Sequence, residues 1–241
     1  MQLALTHSHA PLLPRARATQ VVPGWGSVWT AGEASLLARQ SVAIIGSRSA
    51  SHEGRAAAAT LASSLARLDI VVVSGLAAGI DAAAHEAAMH AGGRTVAVIG
   101  TSLDTAYPRG HASLQARIAA DHLVVSPFAA GTPTSAWHFP KRNRLMALLS
   151  SAVLLIEADE KSGTRHVIDE CARLGKPVFV RSDLVDRLSW LRRAEGRTTV
   201  VPWNPAGGAQ DSHERLSPSR YAVPFDALIA AVATATTSRA P

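Results

Sequence analysis

The densest group of chemistry-bearing side chains lies in residues 137–144, whose sequence is WHFPKRNR. Cations bind phosphates, and an aromatic ring can stack on a base. A binding site for single-stranded nucleic acid combines these two features. A solvent-exposed basic turn is the simpler alternative, but it would leave the two aromatic rings idle. Pro140 indicates a helix start. The candidate contact residues here are Phe139, Lys141, Arg142, Asn143 and Arg144.

A second candidate site follows the apolar run 42–45, where the sequence continues with Gly46, Ser47 and Arg48. Gly46 allows a tight turn, and Ser47 can cap the next helix, whose first N–H groups are then available to an anion. Arg48 adds a fork suited to phosphate. Ordinary turn chemistry explains the same residues, and the further glycines of the dinucleotide fingerprint are missing.

A third polar group, with Ser74, Gly75 and Gly79, follows the apolar run 70–73. Asp81 and His85 come next and share a helix face, since they are four residues apart. They could form an acid–base pair or half a metal site. We favour the alternative in which Asp81 caps the helix and His85 bonds to it or to a neighbouring loop. No matching ligand cluster occurs elsewhere, so no metal and no cofactor are expected.

These groups must be positioned by regular elements, and the chain alternates strand-like with helix-like segments. The predicted helices cover 53–67, 80–91, 111–120, 141–149 and 166–174. The predicted strands are continuously apolar and cover 42–45, 70–73, 95–99, 122–126, 152–157 and 177–180. Such strands separated by helices indicate a parallel sheet covered on both faces. We therefore predict an α/β, doubly wound, mostly parallel sheet of the extended Rossmann-like kind, with ligands at the carboxyl ends of its strands.

The flanks of this pattern predict three regions. Residues 1–32, rich in Pro, Gly and Trp, are expected to form an N-terminal arm or irregular cap, and residues 33–201 the Rossmann-like core. Within that core, we predict a helix over residues 183–193 and an edge strand over residues 198–201. Residues 202–241 are expected to be a linker or exposed loop over 202–219, followed by a C-terminal helix over 225–235.

Composition narrows the class of partner. The chain has 241 residues, of which 47% are apolar, so it can bury a core. The net charge of +6 and sequence pI of about 10.4 favour nucleic acid as partner, although frequent arginine use alone could produce them. Cys171 is the only cysteine, which excludes an intrachain disulfide and fits a reducing cytoplasm. No signal peptide and no membrane span are expected.

Taken together and in order, five motifs resemble those of the DprA/Smf family of DNA-processing proteins. They are Gly46-Ser47-Arg48, the run 74–81 with His85, Leu103-Asp104 with Tyr107-Pro108, the run 139–144, and Ser162-Gly163-Thr164. The resemblance covers about residues 35–182. It implies a Rossmann-like core that binds single-stranded DNA, forms a homodimer, and loads the RecA recombinase during natural transformation or recombination.

The resemblance also implies roles for single residues. Arg48 and Lys141 would form the phosphate pocket. Its floor would be shaped by Gly46, Ser47, Ser74, Gly75 and Gly79, and its rim or internal scaffold by Phe139, Arg142, Asn143 and Arg144. The chain departs from the family at Ala78, where an arginine is usual, so the pocket is expected to be one cation short. Without an evident N-terminal helical domain or winged-helix tail, we expect a core-only member.

Two other functions remain open. A nucleotide-sensing domain would keep the pocket and bind a free nucleotide. A phosphoribohydrolase of the same superfamily would need a glutamate three residues after Thr164, where this chain has Val167. Glu170 lies on a different part of that predicted helix. We therefore expect the chain not to be an enzyme.

Overall fold

The computed structural model describes residues 17–194, 197–204 and 223–237, whose strands form a ten-stranded sheet. The strands are β1 (Arg17–Val22), β2 (Gly26–Gly32), β3 (Ser41–Gly46), β4 (Val71–Ser74), β5 (Thr95–Val98), β6 (Leu123–Ser126), β7 (Ala152–Glu157), β8 (Val178–Arg181), β9 (Val200–Asn204) and β10 (Val223–Pro224). Their order across the sheet is β1-β2-β6-β5-β4-β3-β7-β8-β9-β10. All neighbours pair in parallel except β1 with β2 and β2 with β6.

Helices alternate with the parallel strands. They are α1 (His52–Arg67), α2 (Ile80–His90), α3 (Ala112–Asp121), α4 (His138–Leu149), α5 (Arg165–Leu174), α6 (Ser182–Arg187), α7 (Ser189–Ala194) and α8 (Phe225–Thr237). Each of the six predicted strands and five predicted helices of the alternating pattern occurs within three residues of its predicted bounds. This confirms the doubly wound α/β fold. No helix of the described residues is long and apolar enough to cross a membrane.

Burial on both faces explains why the strands are continuously apolar. Along β3, Val42 and Ile44 pack on one side with residues of α1, α2 and α8. Ala43 and Ile45 point to the other side and pack with residues of α4, α5 and α7. Side chains of a strand alternate between faces, so only a strand covered twice needs apolar residues at every position. Cys171 is part of the second layer, and burial raises the pKa of its thiol to about 12.

The strand order creates a crevice at one place. From β3 the chain moves through β4 and β5 to β6 on one side, then returns to β7 on the other side of β3 and continues to β8 and β9. The loops that leave β3 and β7 therefore diverge. Ligands of open α/β sheets bind at such a switch point, outside the carboxyl ends of the strands.

The structure corrects four sequence-based expectations outside the alternating pattern. Within the predicted arm or irregular cap, residues 17–32 form a β-hairpin whose second strand pairs antiparallel with β6. The predicted helix 183–193 is two short helices, α6 and α7. The predicted edge strand is β9, which has β8 on one side and β10 on the other. Of the predicted linker, 202–204 belong to β9 and 205–219 lie outside the described residues.

The predicted C-terminal helix lies within α8 and packs on the α1 layer through Leu228 and Val232. The place of the N-terminal hairpin in the sheet and the interior position of β9 depend on pairing with strands farther along the chain, which no local pattern reveals. The boundaries of the core at residues 33 and 201 stay a prediction.

Candidate functional site

A cavity of about 460 Å³ opens at the carboxyl ends of β3 and β7. Four segments form its wall: the loop after β3, the loop after β4 with the start of α2, the first turns of α4, and the loop between β7 and α5. Their lining residues include Gly46, Ser47, Arg48, Phe139, Arg142, Asn143, Lys161, Ser162, Gly163, Thr164 and His166. Both its position at the switch point and its volume are typical of small-ligand sites.

Two glycines let the loop after β3 approach the start of α2. A β-carbon at Gly46 would lie 2.6 Å from Cγ1 of Ile80, which is too close for any other residue. Gly79 has a φ of +79°, and a β-carbon there would collide with the carbonyl oxygen of Ser47. That carbonyl accepts a 3.2 Å hydrogen bond from the N–H of Ile80. The predicted floor residues Gly46, Ser47 and Gly79 therefore act through backbone packing.

The start of α1 already carries an anion, contrary to the expectation that its N–H groups are available to a phosphate. Glu157, at the end of β7, accepts hydrogen bonds from the N–H of Ser51 at 3.1 and 3.2 Å and from its hydroxyl at 2.6 Å. A carboxylate at a helix N-terminus satisfies the helix dipole. Binding of a phosphate at this crevice therefore depends on side-chain cations.

Arg142 is buried and links the carboxyl ends of β4 and β5. Its Nη1 donates to the carbonyl of Gly75 and, at 2.9 Å, to that of Val98. Asp81 accepts from the N–H groups of Gly75 at 3.1 Å and Ala77 at 3.3 Å. Burial raises the pKa of Asp81 and lowers that of Arg142, and their mutual attraction opposes both shifts. Arg142 is thus an internal scaffold whose edge reaches the cavity wall.

Arg48 is the exposed cation at the cavity mouth. Its guanidinium carbon lies 5.5 Å from the centre of the Phe139 ring, a cation–π contact. That ring also contacts Tyr107, with centroids 5.2 Å apart. A smaller cavity of about 100 Å³ lies beside the first, and its wall includes Arg48, Tyr107 and Phe139. The Phe139 ring thus lines both cavities, and the guanidinium of Arg48 lies over that ring.

Lys141 does not line either cavity, so the structure does not bring it together with Arg48 in one pocket. Its Nζ lies 5.4 Å from the ring centre of Phe128 and 5.6 Å from that of Trp137. Residues 139 and 141 differ by about 200° around a helix, which points their side chains to opposite sides of α4. The expected pairing of Arg48 with Lys141 fails for this reason.

The remaining predicted residues serve as connections between elements. Ser74 is fully buried and donates 2.6 Å to the carbonyl of Ile44, linking β4 to β3. Asn143 donates 3.3 Å to the carbonyl of Gly163, which ties α4 to the loop before α5. Arg144 points out of the crevice, with its Nε 3.5 Å from the carboxylate of Glu170.

Three charged or titratable cavity residues, Asp159, Lys161 and His166, were missing from the sequence-based candidates. Lys161 is exposed and His166 half-buried, and both belong to the loop and first turn that follow β7. The signal that could have found them is the motif Ser162-Gly163-Thr164. It follows the strand that the topology places next to β3.

Asp81 and His85 do not act on one another. Thr95 donates its hydroxyl to the carbonyl of Val72 at 2.7 Å, so the 2.6 Å contact between Thr95 and Nδ1 of His85 requires a proton on Nδ1. Nε2 of His85 is buried without a hydrogen-bond partner. Burial is the main cause that lowers the pKa of His85 to about 3. No group of three or more possible metal ligands occurs in 17–194, 197–204 or 223–237.

Comparison with known proteins places this crevice in context. The family model described as DNA recombination-mediator protein A matches residues 15–200. The chain belongs to this family.

Among curated members, DNA processing protein DprA of Streptococcus pneumoniae is 41% identical over 66% of this chain and 56% of its own length. Protein Smf of Escherichia coli is 38% identical over 69% of this chain and 44% of its own length. The chain thus spans about half the length of these curated relatives.

A solved structure of DNA processing protein A from Helicobacter pylori, which concerns its single-stranded DNA binding mode, has a TM-score of 0.68 at 28% identity. It covers 77% of this chain and 90% of that one. The fold that carries the crevice is therefore that of the family. Ala78, where the resemblance implied a missing cation, lines the smaller cavity together with Arg48.

Proposed function

We propose that the chain binds single-stranded DNA at the crevice between β3 and β7 and acts in DNA-mediated transformation or recombination. The observation that carries the proposal is the exposed guanidinium of Arg48, held over the ring of Phe139 at the mouth of the 460 Å³ cavity. A cation beside an aromatic surface fits a phosphate and its neighbouring base. Membership of the family, and the subject of the Helicobacter pylori structure, support the same ligand.

In this proposal each group has a distinct role. Arg48 binds a backbone phosphate, and Lys161 adds positive charge from the loop between β7 and α5. A base stacks in the smaller cavity, against Phe139 and Tyr107. Arg142 and Asn143 do not contact DNA but hold the strand ends and the loop before α5 in place.

A length series tests the ligand. Labelled oligothymidylates of increasing length are titrated at several salt concentrations, with mononucleotides as competitors. Single-stranded DNA binding predicts affinity that rises with length and falls with salt. Affinity that is the same for one and twenty nucleotides would overturn the proposal.

The second candidate is a nucleotide-sensing domain, and the volume of the cavity favours it because about 460 Å³ accommodates one nucleotide. In that case a mononucleotide competes fully with the longest oligonucleotide. A phosphoribohydrolase lacks support, since Glu170 is ion-paired with Arg144 and Arg173 outside the cavity wall. The hydrogen bond from Arg173 is the main cause that lowers the pKa of Glu170. We propose binding without covalent chemistry.

Three further parts of the proposal rest on family membership and on the single cysteine. They are RecA as partner, a homodimer, and a cytoplasmic location. Light scattering at micromolar concentration tests the dimer, with twice the chain mass of 25.2 kDa expected. A monomeric mass would remove it.

A further inference from the structure

Trp137, at the start of α4, is largely exposed although it is the bulkiest side chain of its segment. Its exposed fraction is 58%. Two buried rings hold one side of it: His138, 4.5 Å away in an edge-on arrangement, and Phe128, 5.9 Å away at 83°. His138 and Phe128 in turn stack at 3.7 Å. These two ring contacts fix the orientation of the indole, while much of its surface remains open to solvent.

A cation accompanies this ring. Nζ of Lys141 lies 5.6 Å from the centre of Trp137 and 5.4 Å from that of Phe128. The pair thus repeats the chemistry of Arg48 over Phe139, with an aromatic surface next to a charge that suits a phosphate. It does so outside both cavities, on the other side of the first turn of α4.

We propose that Trp137 and Lys141 form a second contact for the same strand, with a base stacked on the indole and a phosphate paired with the ammonium group. The inference rests on the proposed function and adds the number of nucleotides that the site binds. A helix with its side chains is about 10–12 Å across. Stacked nucleotides advance about 3.4 Å each, so a strand that passes over α4 needs about three nucleotides beyond the cavity.

The dependence on length gives the inference its test. Binding of a dinucleotide and of a twelve-nucleotide oligothymidylate is measured by competition for wild type, Trp137→Ala, Trp137→Phe and Arg48→Ala. Leu68→Ala is the matched control, because Leu68 is another exposed apolar residue, 48% accessible, at the far end of α1. Thermal melting checks that each variant is folded.

We expect Trp137→Ala to weaken binding of the twelve-nucleotide oligomer at least about fivefold and to leave the dinucleotide unchanged. Trp137→Phe should retain most of the affinity, and Leu68→Ala all of it. The long oligomer should also quench tryptophan fluorescence in the wild type, and much less in Trp137→Phe.

Equal affinities of Trp137→Ala and wild type for the long oligomer would overturn the inference, and so would an equal loss for both lengths. Failure of the proposed function has a different signature. In that case Arg48→Ala leaves binding of both lengths unchanged.

Discussion

Arg142 and Asp81 are buried side by side against Gly75, and each hydrogen-bonds the backbone of that residue. Arg142 donates to its carbonyl, and Asp81 accepts from its N–H. A β-carbon at Gly75 would lie 2.7 Å from Oδ2 of Asp81 and closer still to Nη1 of Arg142. Of the two roles that the resemblance implied for Arg142, rim or internal scaffold, its hydrogen bonds therefore favour the internal scaffold.

Replacement of Arg142 by Met should therefore reduce stability. The substitution leaves the carboxylate of Asp81 buried without its cation and two carbonyls without their donor. Each buried polar group that is left without a partner costs about 1–3 kcal/mol, so we expect the free energy of unfolding to fall by about 3–5 kcal/mol. Urea unfolding measures it. Arg144→Met, on an arginine exposed in the same helix, is the control and should change stability by less than about 1 kcal/mol. Similar losses for the two variants would contradict the structural role.

His85 should make the protein sensitive to acid. Its pKa is about 3 in the folded protein, below the ordinary value of 6.5, so the unfolded chain binds a proton more readily. The neutral His85 therefore costs no stability above about pH 6.5, and the free energy of unfolding falls as the pH drops from 6.5 toward 3. At pH 5 the loss amounts to about 2 kcal/mol. Urea unfolding at pH 7.5 and pH 5 should show a smaller pH effect for His85→Gln. An unchanged difference between the two pH values would exclude His85 as the cause.

Ala78→Arg should tighten DNA binding. Ala78 is half-buried in the wall of the smaller cavity beside Arg48, so a new guanidinium there has access to the same strand. We expect a several-fold gain in affinity for oligothymidylate. The slope of log affinity against log salt should steepen by about 0.7 for one more phosphate contact. Ala120→Arg adds the same charge on an exposed position of α3, next to the amino end of β6, and should change neither quantity. Equal effects of the two variants would mean a non-specific charge effect.

The parallel sheet could be predicted because its strands are buried on both faces. Each of them is a short apolar run such as 152–157, and the glycines and serines that follow mark the carboxyl ends. The first turns of α4 were harder to place. We expected the helix to begin after Pro140, but it begins at His138. A proline at the third position still lacks only an N–H that has no partner within the helix, so it is tolerated there.

The composition of the site could not be predicted as fully as the fold. Phe139 and Lys141 are neighbours in sequence, which suggested one pocket, but the rotation of the helix separates them. Lys161 and His166 join the cavity only because the chain returns to β7 beside β3, a long-range relationship. The N-terminal hairpin likewise joins the sheet through pairing of β2 with the distant β6. Local patterns determine elements, whereas contacts between distant segments decide which side chains share a surface.

The most direct test of DNA binding at this crevice is the affinity of Arg48→Ala for a twelve-nucleotide oligothymidylate. Arg94→Ala is the matched control, since Arg94 is an exposed arginine beside the amino end of β5, the opposite edge of the sheet. Loss of a charge-assisted contact to phosphate predicts at least about tenfold weaker binding for Arg48→Ala and little change for Arg94→Ala. A folded Arg48→Ala variant that binds as tightly as the wild type would contradict the account.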